Sequence, residues 1–296
     1  MPLVSVIVPT HNREALVREA IESALSQTHR EIEVIVVDDG STDQTADSIA
    51  AISDSRIRLF TQSQSGPAAA RNAGIEKARG EFVAFLDSDD LWESGKIAAQ
   101  LAVFEKCPDA VLVFSDARLG DTGRTAFTMR EGRDASAGGD WFTRLLLDNI
   151  IITSTVLAKK EAVVAAGGFD TVFEPAEDYR LWLSMTRLGP FEIMHDILAI
   201  YRLHGDQLGE AHLTSNTPRM FDSCSRVIVD AVEKARLKID SIEGLPHRLW
   251  QLHFVAGRAA HKSGDRAKAH FHYREAARIA PFSKATLFLF LNFVKI

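Results

Sequence analysis

Phe82-Val83-Ala84-Phe85-Leu86-Asp87-Ser88-Asp89-Asp90 sets five apolar residues directly before three carboxylates. An unbroken apolar run of this length suits a strand covered on both faces, as in parallel sheets flanked by helices. The carboxylates then emerge at its carboxyl end, where open α/β sheets place their ligands. Gathering like charges there is costly unless a cation meets them, and a divalent ion on an Asp-x-Asp commonly brings a phosphate with it. The competing reading is an acidic, solvated helix start before Leu91 and Trp92, because Asp is favoured at N-caps.

Three further clusters share this pattern on the N-terminal side. Leu3 to Pro9 reads as a buried strand that runs into Thr10-His11-Asn12-Arg13. Glu33 to Val37 is a second strand, and it runs into Asp38-Asp39-Gly40-Ser41-Thr42-Asp43. Asp38 and Asp43 are also suited to capping a turn and a helix. Gly66-Pro67 opens an alanine-rich helix that carries Arg71 and Asn72, with proline tolerated in its first turn. Helices are expected from Glu14 to Gln27, around Ala46 to Ile52, and from Trp92 to Lys106. Short strands are expected at Ile57 to Phe60 and Ala110 to Phe114. Alternating strands and helices argue for a parallel, doubly wound α/β sheet.

The remaining chain reads less regularly. Leu119 to Gly139 is rich in Gly, Thr, Arg and Asp and reads as a loop or loose hairpin. Ile151 to Leu157 and Ile197 to Tyr201 read as strands. A helix is expected to open at Asp178, immediately after Glu177. Beyond Pro218 strand signals stop, and helices are expected over Met220 to Arg236, Arg248 to Lys262 and Arg266 to Ile279. This divides the chain into a unit at 1–212 and a helical appendage at 213–296. The tail Thr286 to Ile296 is apolar but too short to span a bilayer, so it either packs on the helices or touches a membrane surface or partner.

Composition excludes several classes. The 296 residues are 46% hydrophobic and 25% charged, as in ordinary globular proteins. A formal net charge of −6 argues against a nucleic-acid surface. Cys107 and Cys224 lie far apart without metal-ligand spacing, which fits a reducing, cytoplasmic setting. Neither a signal peptide nor a membrane span is expected.

Taken together, Pro9-Thr10-His11-Asn12-Arg13, Val37-Asp38-Asp39-Gly40-Ser41, Ala70-Arg71-Asn72-Ala73-Gly74 and Leu86-Asp87-Ser88-Asp89-Asp90 resemble the family 2 glycosyltransferases. Glu177-Asp178-Tyr179-Arg180-Leu181-Trp182 and Tyr201-Arg202-Leu203-His204 extend the resemblance. It implies a GT-A fold with a Rossmann-like, mostly parallel sheet. The implied reaction is inverting, metal-dependent transfer of a sugar from a nucleotide diphosphate sugar, UDP-linked by family frequency. The acceptor would be a hydroxyl of a glycan or lipid-linked molecule.

By the same resemblance, Pro9, Thr10, Asn12, Arg13, Asp39, Arg71, Asp87 and Ser88 would bind the nucleotide sugar, with Asp39 accepting from the base ring imide. Asp89, with Asp87 and His204, would meet Mn2+ or Mg2+. His204 and His11 also suit a structural, hydrogen-bonded role. Asp178 would be the general base with Glu177 beside it, and a helix N-terminus would keep it ionised. That leaves Asp90 as the cap of the following helix, and Trp182 as core or acceptor-side wall.

Other classes fit less well. A dehydrogenase needs glycines after the first strand, where this chain has Thr10-His11-Asn12-Arg13. A nucleotidyltransferase would show an early Gly-rich, Lys-bearing loop. The alternative from a different class is a non-catalytic nucleotide-sugar or partner-binding module built on the helical C-terminal region.

Overall fold

The computed structural model describes residues 1–120, 140–202 and 218–281. Most of the irregular Leu119–Gly139 stretch, His204 and the tail Thr286–Ile296 lie outside them. The first strands form where the sequence is continuously apolar: β1 (Val4–Thr10) and β2 (Ile32–Asp38) are buried at every position. With β3 (Ile57–Thr61) and β4 (Phe82–Phe85) they pair in parallel, β1 lying between β2 and β4. Helices α1 (Glu14–Leu25), α2 (Thr45–Ala50) and α3 (Pro67–Lys77) make the crossovers.

The second half departs from a purely parallel sheet. Leu91–Trp92 forms a short strand, β5, and α4 starts only at Lys96 (Lys96–Lys106). Next come β6 (Leu112–Leu119), α5 (Trp141–Leu147), β7 (Val156–Lys159), α6 (Lys160–Ala165), α7 (Glu177–Met185) and β8 (Phe191–Tyr201). The complete sheet has eight strands in the order β3-β2-β1-β4-β7-β6-β8-β5. β7 runs antiparallel to both β4 and β6, and β5 runs antiparallel to β8. The expected strand at Ile151 begins five residues late, because Thr153–Thr155 forms a 3-10 turn before β7. Strand order reverses at β1, so the carboxyl ends of β1 and β4 open a crevice where such sheets bind ligands.

Alternation within the strands divides the core between the two faces. Val6, Val8, Val34 and Ala84 pack with α1 and α4, while Ile7, Ile35, Val37 and Phe85 pack with α3 and α7. Trp182 is fully buried against Phe85 and Phe169, which makes it core rather than acceptor wall. Gly74 permits α3 to lie on β1, since a Cβ there would stand 2.5 Å from Ile7 Cγ2.

The C-terminal helices are α8 (Pro218–Lys234), α9 (Leu245–Lys262) and α10 (Arg266–Ile279). Val227, Ile228 and Val232 of α8 and Leu249 and Leu252 of α9 join the same core as the sheet. α10 packs on α9 through Ala260, Ala269, Tyr273 and Ala276. Among the described residues, no helix is long and apolar enough to cross a membrane.

Candidate active site

Two adjoining compartments open at the carboxyl ends of β1 and β4. The first is lined by Pro9, Thr10, Arg13, Asp39, Arg71, Asp87, Ser88 and Asp89. The second contains Glu177 and Asp178 and is walled by Ile150, Ile151, Ile152, Met220 and Cys224. Their volumes are about 270 and 180 Å3, and each alone is below the range of ordinary ligand pockets. Arg71 and Asp87 line both, so the two act as one cleft.

In the first compartment the β1, β2 and α3 ends are tied together. Asp39 accepts hydrogen bonds from Gln62 Nε2 at 2.7 Å and from the Ser65 and Gly66 amides at 2.8 Å. A carboxylate offers about four lone-pair sites, so one remains for a further donor. The Thr10 hydroxyl is buried and has no partner among the described residues. His11 Nδ1 donates to the Asp39 carbonyl at 2.9 Å, which leaves Nε2 to accept from Gln64 and Asn12. Asn12 lines neither compartment. It adopts a left-handed φ of 50° and spends its Oδ1 on the Thr42 amide, 2.8 Å away, so it braces the wall from outside. Asp38 accepts from the Ser41 amide and hydroxyl as a turn cap, and Asp43 accepts from the Thr45 amide and hydroxyl in the turn that enters α2, whose N-cap is Gln44.

The Asp-rich turn distributes its three carboxylates differently. Asp87 and Asp89 keep side chains 26% and 28% exposed toward the cleft. Asp90 is buried and is not a helix cap: its side chain accepts from Ser154 Oγ at 2.5 Å and from the Arg202 amide at 3.0 Å. Burial, with Asp87 and Asp89 nearby, pushes its carboxyl well above the usual range. The Arg202 guanidinium bonds the Asp89 carbonyl and Glu19, anchoring the turn to α1. Ser154 also holds the Asp87 amide at 3.1 Å. Sequence reading missed Ser154 and the bracing role of Arg202.

The donor set of Asp87 and Asp89 fits a hard divalent cation. Among the described residues no group of three or more His, Cys, Asp or Glu could hold an ion unaided. Two oxygen donors form a partial shell of the kind Mg2+ and Mn2+ complete with phosphate and water. His204, the third expected ligand, lies outside the described residues.

Arg71 joins the two compartments. Its Nη2 donates to Asp87 Oδ1 at 2.6 Å and its Nη1 to Glu177 Oε1 at 2.8 Å. The guanidinium also lies 5.2 Å from the Phe169 ring centroid. Burial disfavours its charge, but Asp87, Glu177 and Asp178 outweigh this and raise its pKa further. Glu177 and Asp178 begin α7, and Thr153 Oγ1 donates to Asp178 Oδ2 at 3.1 Å. Contrary to the helix-dipole expectation, burial and the neighbouring Glu177 push the Asp178 carboxyl up to about 7, with Arg71 opposing them. Desolvation exceeds the dipole here because the group faces a cavity with apolar walls.

The family model for glycosyl transferase family 2 matches residues 5–164, more than half of the chain. WfgD of Escherichia coli, named a UDP-Glc:alpha-D-GlcNAc-diphosphoundecaprenol beta-1,3-glucosyltransferase, is 32% identical over 62% of this chain and 70% of its own length. An uncharacterized glycosyltransferase of Rickettsia typhi is 34% identical over 70% of this chain and 65% of its own. The chain spans from 29% to 65% of the length of the rickettsial relatives it matches. In structure it resembles TarS of S. aureus with bound UDP (TM-score 0.64, 19% identity, 94% of this chain and 81% of that one). It also resembles the mannosyltransferase PcManGT of Pyrobaculum calidifontis with GDP-Man and Mn2+ (TM-score 0.62, 20% identity, 99% and 80%). The sheet and its flanking helices have the GT-A arrangement of these glycosyltransferases. With a matching model and a relative covered over most of its length, the chain belongs to glycosyl transferase family 2.

Proposed function

We propose that the protein is an inverting, metal-dependent glycosyltransferase. It transfers a sugar from a nucleotide diphosphate sugar, a UDP-sugar first, to a hydroxyl of a glycan or lipid-linked acceptor. The observation that carries this reading is the Arg71 bridge, which binds Asp87 on the donor side and Glu177 on the base side of one cleft.

The nucleoside lies in the compartment of Pro9, Thr10 and Arg13. There the spare acceptor site of Asp39 takes a base N–H, and the Thr10 hydroxyl gains its missing partner. Asp87 and Asp89 would hold Mn2+ or Mg2+, which would neutralise charge on the diphosphate leaving group. Arg71 keeps a fixed positive charge beside that group. The acceptor enters the second compartment, and Asp178 Oδ takes the proton from its attacking hydroxyl. A carboxyl raised to about 7 is matched to that task near neutral pH, and Glu177 helps to keep it there. Thr153 orients it. Reaction from the side opposite the leaving group inverts the anomeric carbon.

The catalytic unit is taken as 1–212, and the helices from Pro218 onward close the acceptor side through Met220 and Cys224. A lipid-linked acceptor, supported by the name of WfgD, places the protein peripherally at the cytoplasmic face of a membrane. The test is UDP release from a panel of UDP-sugars with Mn2+ and a GlcNAc-diphospholipid acceptor, followed by NMR of the product. The reading expects acceptor-dependent, EDTA-sensitive release and a β-linked product from an α-linked donor. Nucleotide binding without any release would favour a non-catalytic binding module instead.

A further inference from the structure

We infer that the outer surface of the α9–α10 hairpin is a docking surface for an anionic membrane. Between Leu245 and Pro281 the chain carries seven Arg and Lys against two acids, in a protein of net charge −6. The cations are not scattered. On α9 the exposed positions are His247, Gln251, Val255, Arg258, His261 and Lys262, which recur at helical spacing as one stripe. On α10 they are Ala267, Phe271, Arg274 and Arg278, again one stripe. Neither stripe contains an acid; at the turn where they meet, the exposed Arg266 stands beside the exposed Asp265, whose carboxylate is engaged by the Lys268 amide.

These charges are available. Among the described residues Arg274 and Arg278 share one ion-pair partner, Glu275, at 3.5 and 3.3 Å, and Arg274 also lies over the Phe271 ring. Arg258, Lys262 and Arg266 join no ion pair among the described residues. Phe271 and Val255 protrude between the cations, 44% and 38% exposed. Cations flanking isolated apolar knobs on a convex helical face fit a bilayer interface, where headgroups take the charge and the knobs reach the acyl boundary. The chain also continues beyond α10 into Lys284 and the Leu/Phe-rich run Thr286–Ile296.

The acidic remainder of the protein is repelled by the same lipid surface, which fixes the orientation. α8 packs on α9 and supplies Met220 and Cys224 to the acceptor compartment, so the docking hairpin and that compartment share a helix–helix contact. The usefulness of this arrangement rests on a lipid-linked acceptor, but its test does not.

The full chain is sedimented with phosphatidylcholine vesicles, with or without about 30% phosphatidylglycerol, at about 0.1 and about 0.5 M NaCl. Binding is expected only with the anionic lipid, weakening about tenfold at the higher salt. Arg258→Glu with Lys262→Glu and Arg266→Glu should reduce it about tenfold, and Phe271→Ala about threefold. Thermal melting and UDP release from a soluble donor should be unchanged in both. No binding to anionic vesicles overturns the inference, as does equal binding by the charge-reversed protein. Retention on poly-glutamate without vesicle binding also overturns it, in favour of an acidic protein partner. Vesicle binding by a protein that releases no UDP leaves the docking surface standing and removes the transferase reading.

Discussion

Arg71 and Glu177 stand 106 residues apart in the chain and meet as a buried ion pair at 2.8 Å. The same guanidinium holds Asp87, so one side chain ties the Asp-rich turn after β4 to the start of α7. Arg71→Ala leaves Glu177 buried without its counter-charge. We expect a loss of about 3–5 kcal/mol in urea unfolding, together with at least a hundredfold (~100) fall in turnover. Arg71→Lys should retain more stability than activity, because an ammonium cannot copy the two-pronged contact.

The Asp178 carboxyl, raised to about 7, must lose its proton to act as a base. The active form therefore accumulates as pH rises, and kcat/KM for the acceptor should climb through pH 7 to a plateau. Glu177→Gln removes a like charge and leaves Arg71 less neutralised. Both changes favour ionised Asp178, so the rise should move to lower pH. A pH–rate profile of the two proteins checks the direction.

Asp178→Asn keeps the shape of the site and removes the base. Turnover should fall by at least about 100-fold while UDP affinity changes by less than about twofold. Loss of nucleotide binding would instead place Asp178 on the donor side.

Gly74→Ala would set a Cβ 2.5 Å from Ile7 Cγ2, where α3 lies on β1. Overpacking of this kind costs about 1–3 kcal/mol, which calorimetry should record as a fall of about 2–5 °C in Tm.

The clustering of the proposed donor residues was legible because it is local: apolar β1, β2 and β4 run into Thr10, Asp39 and Asp87, and parallel pairing carries those ends to one edge. Asp90 was not. An Asp before a helix generically reads as a cap, and the residues that claim it, Ser154 and Arg202, lie 64 and 112 positions away. The antiparallel course of β7 likewise depends on partners remote in sequence. The ionisation of Asp178 was misjudged because helix position is visible in sequence, whereas the apolar wall of Ile150 to Ile152 that outweighs it is a tertiary product. Asn12 carries the expected residue type, yet its side chain is committed to Thr42.

The most direct test of the central claim is calorimetric titration of UDP into the wild-type chain and Asp89→Ala, each with Mn2+ and with EDTA. A metal-dependent nucleotide site at Asp87 and Asp89 predicts binding by the wild type with Mn2+, weakened at least about tenfold by EDTA or by the substitution. Equal UDP affinity in all four titrations, or none in any, would contradict it.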